Sequence, residues 1–201
     1  MQQWRTSPVR IGEVADLADP LGLRRVRVRY TEDNSDISDW AWLVSPMAGP
    51  KRGFHFRPMP GDEVLTIDCG EYVFVLGAMW SKADPPPPDD GDQAANNWRF
   101  IRSRSGHVVK LDDTAGAEKI ELIDKDEQRL VVIDSANAKI QVLCKQGDVE
   151  VTASNGTVTI HASGDMTLSA DGAIAISGKQ GVTIDAGQSD VKVSGSTINL
   201  N

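Results

Sequence analysis

From Val149 onward the sequence repeats a short unit, and few architectures accept so short a period. Apolar pairs fall at Val149/Val151, Val158/Ile160, Met166/Leu168, Ile174/Ile176, Val182/Ile184, Val191/Val193 and Ile198/Leu200, their first members separated by 9, 8, 8, 8, 9 and 7 residues. Glycines at 147, 156, 164, 172, 181, 187 and 195 mark the intervals. Self-similarity at a fixed period is the signature of a solenoid or array. Side chains alternate along a strand, so each unit supplies one short strand with two apolar residues on one face, then a turn. The pattern continues upstream with looser spacing through Ile140/Val142, Val131/Ile133 and Ile120/Leu122.

Two windings accommodate such units. One chain coiled into a three-sided parallel β-helix uses about 18 or more residues per turn, so three units make one coil. Alternatively, three identical chains wind together, each stepping to the next face with every unit. Each strand then pairs with the other two chains, and three-fold closure leaves no lateral edge. Either prism is narrow, with room near its axis for Val, Ile, Leu, Met and Ala only. The sequence after Phe100 accordingly contains no aromatic residue.

The chain before that point differs in kind. All five Trp, both Tyr and all four Phe lie in residues 1–100, and all ten Pro lie before residue 89. The hinge is Lys82-Ala83-Asp84-Pro85-Pro86-Pro87-Pro88-Asp89-Asp90-Gly91-Asp92, an extended, semi-rigid spacer kept solvated by its acids. Ahead of it, Val26, Val28 and Tyr30 alternate with Arg25, Arg27 and Arg29, the pattern of a half-buried strand. Asp19-Pro20-Leu21-Gly22 is turn chemistry. Trp40, Trp42 and Val44 alternate, Met59-Pro60-Gly61-Asp62 turns into a strand over Glu63–Asp68, and Cys69-Gly70-Glu71 makes a hairpin into Tyr72–Leu76. About five strands without an amphipathic helix read as a small closed barrel such as an OB fold.

The order of these elements carries a family resemblance. Asp19-Pro20 and the Arg25–Tyr30 strand are followed by Ser38–Trp42, Pro46-Met47-Ala48-Gly49, Pro60-Gly61-Asp62-Glu63-Val64 and Val75-Leu76-Gly77. After the hinge come Arg102-Ser103-Arg104-Ser105-Gly106-His107, Leu111-Asp112-Asp113-Thr114, Glu118–Asp124 and Val132-Ile133-Asp134. With the eight-residue repeat, the sequence resembles the central spikes of contractile injection machines: phage baseplate assembly protein V and the spike portion of the valine–glycine repeat (VgrG) proteins of type VI secretion. The resemblance implies an all-β chain: an OB-fold collar over 1–83, a Pro-rich acidic linker and lead-in segment over 84–106, and an intertwined trimeric triple-stranded β-helix, the needle, over 107–201.

The implied needle core is Ile120, Leu122, Val131, Ile133, Ile140, Val142, Val149, Val151, Val158, Ile160, Met166, Leu168, Ile174, Ile176, Val182, Ile184, Val191 and Val193. The implied function is mechanical: a homotrimer driven through the target cell envelope, with transient membrane contact, linking the baseplate hub to the tip. The hub is expected to be a separate trimeric protein, met through Arg25, Arg27, Arg29, Trp40 and Trp42. Short spikes of the family seal their tip with iron held by a histidine pair. Here His55, His107 and His161 are unpaired, so a PAAR-type tip protein is expected at Ile198, Asn199, Leu200 and Asn201, with no metal or cofactor of the chain's own. Synthesis in the host cytoplasm and assembly into a tail baseplate or an extracellular injection particle follow from the same likeness.

Rival functions find less support. No HExxH, GxSxG, P-loop or GxGxxG stands in a suitable context, so no enzyme is expected. Asp89-Asp90 and Asp112-Asp113 read as solvated turn acids. Cys69 and Cys144 match no metal or redox spacing and read as reduced thiols. The alternative is an OB-fold single-strand nucleic-acid-binding protein with a β-solenoid tail, since Arg24, Arg25, Arg27 and Arg29 beside Trp40 and Trp42 offer charge and stacking. Against it, residues 1–88 hold ten Lys/Arg and twelve Asp/Glu, and the chain carries a net charge of −8.

Overall fold

A computed structural model describes residues 8–30, 37–88 and 94–199. Its internal contacts divide the chain into two units, Met1–Asp148 and Val149–Asn201. Every regular element among the described residues is a β-strand.

Seven strands precede the proline hinge: β1 (Val9–Asp16), β2 (Arg27–Arg29), β3 (Trp42–Leu43), β4 (Ala48–Gly49), β5 (Arg52–Gly53), β6 (Glu63–Asp68) and β7 (Val73–Met79). Five of them form one sheet in the order β2-β1-β6-β7-β3, antiparallel except for β3 against β7. A bridge between Val26 and Ala41 joins the two outer members, closing the sheet into the five-stranded Greek-key barrel of an OB domain. β4 and β5 make a separate ribbon between β3 and β6.

Alternation explains the core. Val26, Val28 and Tyr30 are buried with Val14, Ala41, Val64 and Val75, while Arg25, Arg27 and Arg29 stand on the outer wall. The Tyr30 hydroxyl is paired with Thr66 Oγ1 at 3.1 Å, and Thr66 donates in turn to the Arg10 carbonyl, so the buried oxygens are satisfied. Gly12 of β1 leaves room for β2: a Cβ there would sit 2.7 Å from the Arg29 carbonyl oxygen. The turn motifs hold. Gly22 N–H donates to the Asp19 carbonyl, and Asp62 N–H to that of Met59, with Gly22, Gly61 and Gly70 at positive φ. Gly61 N–H also reaches the Val14 carbonyl, so the Gly61–Val64 segment is sewn to β1 before Val64 enters the core.

A second sheet follows, in the order β12-β11-β10-β9-β8: β8 (Trp98–Arg102), β9 (Val108–Asp112), β10 (Lys119–Ile123), β11 (Arg129–Asp134) and β12 (Lys139–Cys144). All its neighbours are antiparallel. Here the structure departs from the expectation of one continuous β-helical winding from residue 107. The looser spacing leaves room for hairpins, and side chains close them. His107 N–H donates to Ser103 Oγ, Thr114 N–H to Asp112, Gln128 N–H to Asp124 and Asn137 N–H to Asp134. Asp124 is held below the usual carboxylate range chiefly by the Arg129 backbone N–H, and Asp134 chiefly by the Asn137 side chain.

The second unit behaves differently. Turns and bends over residues 154–156, 163–164, 171–172, 179–180 and 187–189 separate its apolar pairs. Among the described residues no strand pairing joins any two of these segments.

Candidate functional site

The second sheet has two unlike faces. The registers align Ile101, Val109, Leu122, Val131 and Val142 in one cross-strand row, and Arg99, Leu111, Ile120, Ile133 and Ile140 in the next. All nine apolar members of these rows are exposed in the single chain, Ile140 to 73%. The six expected core residues of this stretch therefore share one face. Ile101, Val109 and Leu111 complete it; their alternation with Lys110 and Asp112 was the available sign.

The opposite face buries charge. Phe100, Lys110, Glu121, Val132 and Gln141 form its central row, beside Trp98, Asp112 and Lys119. Lys110 Nζ lies 2.5 Å from Glu121 Oε2, 3.8 Å from Asp112 Oδ2 and 4.0 Å from the Trp98 ring centroid. Lys119 Nζ reaches Glu121 Oε1 at 3.6 Å. Asp112, read from sequence as a solvated turn acid, is buried here. Burial acts to raise its pKa, but the Thr114 hydrogen bonds and the two lysine charges prevail and lower it. Asp113 is exposed and pairs with Arg99 at 2.7 Å.

In the second unit, Val149, Val151, Val158, Ile160, Met166, Leu168, Ile174, Ile176, Val182, Ile184, Val191 and Val193 are all exposed in the single chain. Ile198 and Asn199 of the expected tip surface are exposed too, and Leu200 and Asn201 lie outside the described residues. Cys144 stands on β12 with the parity of Ile140 and Val142; its thiol and that of Cys69 are free.

The barrel wall brings together four of the five expected hub residues. Arg25 Cζ lies 5.4 Å from the Trp42 ring centroid and 6.0 Å from that of Trp40, and Arg27 Cζ lies 5.9 Å from Trp40. Arg27 Nε donates to the Ser38 carbonyl at 2.9 Å. Arg29 joins Glu13 and Ile37 through strand pairing. Asp19, whose side chain is 2% exposed, receives the Arg25 guanidinium at 2.7 Å. That hydrogen bond, opposed by burial and aided by the Leu21 and Arg25 backbone N–H groups, holds the Asp19 carboxyl well below the usual range.

A carboxylate depressed on folding stabilises fully above its unfolded pKa, about 3.9. The contribution fades as pH falls below that towards the folded value. Asp19→Asn is therefore expected to lower stability at pH 7, with the gap to wild type narrowing below about pH 4. Urea titrations followed by tryptophan fluorescence at pH 7 and pH 3 check this; an equal gap at both would contradict the assignment.

Residues 10–80 match the family described as the type VI secretion system/phage-baseplate injector OB domain. That match covers the closed barrel from the second residue of β1 to the end of β7. The barrel is a baseplate-injector OB domain. Residues 115–201 match a second family, described as an uncharacterized protein conserved in bacteria (DUF2345), which spans β10 to β12 and the eight-residue repeat. A search among curated proteins returns no match. The injector family is one of structural baseplate components, and its spike-like members take part in assemblies with other baseplate parts in a tail or injection particle.

Proposed function

We propose that three copies of the chain form the central spike of a contractile tail or injection apparatus, a needle that punctures the target envelope. The observation that carries this reading is the unpartnered apolar surface. All eighteen residues expected in the needle core are exposed in one chain, and on the second sheet they share a face. Holding a residue in one backbone conformation costs about 1–2 kcal/mol. A segment that neither pairs with itself nor buries its apolar side chains has nothing to offset that cost. Three chains wound together supply both, since strands pair between chains and the apolar pairs meet near the axis.

The rest of the assembly follows the family likeness. The barrel is a collar on a separate trimeric hub, a PAAR-type protein covers Ile198–Asn201, and the role is mechanical, with no catalysis. Arg25 and Arg27 are engaged with Asp19, Ser38 and the two tryptophans, which weighs against the wall as a base-stacking groove. Deleting residues 1–88 is expected to leave a trimeric needle that fails to enter particles. Fractionated particles probed for the truncated chain test this, and normal incorporation would reject the collar role.

A further inference from the structure

The ribbon of β4 and β5 belongs neither to the barrel core nor to the needle. Its base is fixed: Phe54 N–H donates to the Met47 carbonyl at 3.0 Å, and Ser45 Oγ donates to the carbonyls of Met47 and Phe54. Arg57 ties the returning chain to the barrel through the carbonyls of Leu17 and Arg25. On this rigid base Phe54 and Phe56 stack with ring centroids 6.2 Å apart, yet they are 52% and 65% exposed, and Met47 beside them is exposed as well. The ribbon also lies in a locally basic stretch of an acidic chain. Residues 40–61 contain Lys51, Arg52, His55 and Arg57 and no Asp or Glu.

The chain carries the complementary chemistry elsewhere. Pro85–Pro88 form a run whose fixed φ favours the polyproline II helix, and aromatic ledges bind that helix because it is ordered before it docks. Asp84 precedes the run and Asp89-Asp90-Gly91-Asp92 follow it in the sequence, opposite in charge to the ribbon. Ser81 Oγ accepts the N–H groups of Ala83 and Asp84, fixing the chain's direction as it leaves β7, and Pro85, Pro86 and Pro88 are exposed.

We propose that the Phe54–Phe56 ribbon of one copy holds the Asp84–Pro88 segment of a second copy, clasping neighbouring collars together. This rests on the trimeric reading, and the test separates the two. Chains with Cys69→Ser and Cys144→Ala carry either Met47→Cys or Ala83→Cys under different tags, and are co-assembled and treated with a short bis-maleimide. The expected product is a covalent pair bearing both tags, with neither cysteine cross-linking when present alone. Adding Phe54→Ala and Phe56→Ala to the Met47→Cys chain should cut the yield about ten-fold, the effect of losing an interface anchor. Native mass is measured on the same sample. A trimer without the mixed product, or, in a chain given both Met47→Cys and Ala83→Cys, a cross-link formed only within one chain, overturns the clasp alone. A monomer overturns both readings. Binding of oligothymidylate by wild type that vanishes with the two Phe→Ala changes would assign the ribbon to single-stranded nucleic acid instead and overturn the clasp.

Discussion

Ile176→Asp is expected to abolish assembly. In the three-chain winding Ile176 lies at one level of a narrow prism, so the change brings three carboxylates together near the axis. Removing each from water costs several kcal/mol even after relaxation, and the three repel one another. The change also forfeits the burial of an Ile, worth about 1.5–3 kcal/mol per chain. Ala175→Asp, one position along and on the opposite face, is the control and should assemble normally. Sedimentation and resistance to heating in detergent report the outcome. An Ile176→Asp trimer as robust as wild type, beside a collapsed Ala175→Asp, would mean that the parity is reversed.

The second large effect concerns stability. Lys110→Met removes the cation shared by Glu121 and Asp112, whose side chains are 10% and 6% exposed. Breaking a buried pair by deleting one partner costs about 3–5 kcal/mol, because the remaining charge stays buried. Lys119 stays 3.6 Å from Glu121 and offsets part of that. Adding Glu121→Leu should restore much of the loss, since an apolar pair of similar volume replaces a buried ion pair at little cost. Chemical denaturation of the single and double variants measures both effects. A double variant no more stable than Lys110→Met would contradict the network described here.

The sequence was most legible where alternation and turn chemistry agreed. Glu63–Asp68 appears as β6 with the same bounds, and the Arg25–Tyr30 alternation sorts wall from core as read. β1 was passed over because its inward positions are Arg10, Gly12 and Val14, a strand whose packing depends on a missing side chain and on an arginine lying 3.6 Å from the Tyr30 ring centroid. The charged face of the second sheet was hidden for a related reason. Asp112 reads as a solvated turn acid, and nothing in the spacing joins it to Lys110, Lys119 and Glu121 until registration across β9 and β10 brings the four together. The apolar face opposite was plain from Ile120 onward, but the hairpins that build it depend on Asp124 and Asp134 capping turns, which the repeat spacing does not express.

The central claim is that the exposed apolar residues of the single chain are covered by two further copies. Native mass spectrometry of the purified full-length chain tests it most directly. The account expects one dominant species at three times the 21.7 kDa chain mass, unchanged on dilution. A stable, folded species at the single-chain mass would contradict it.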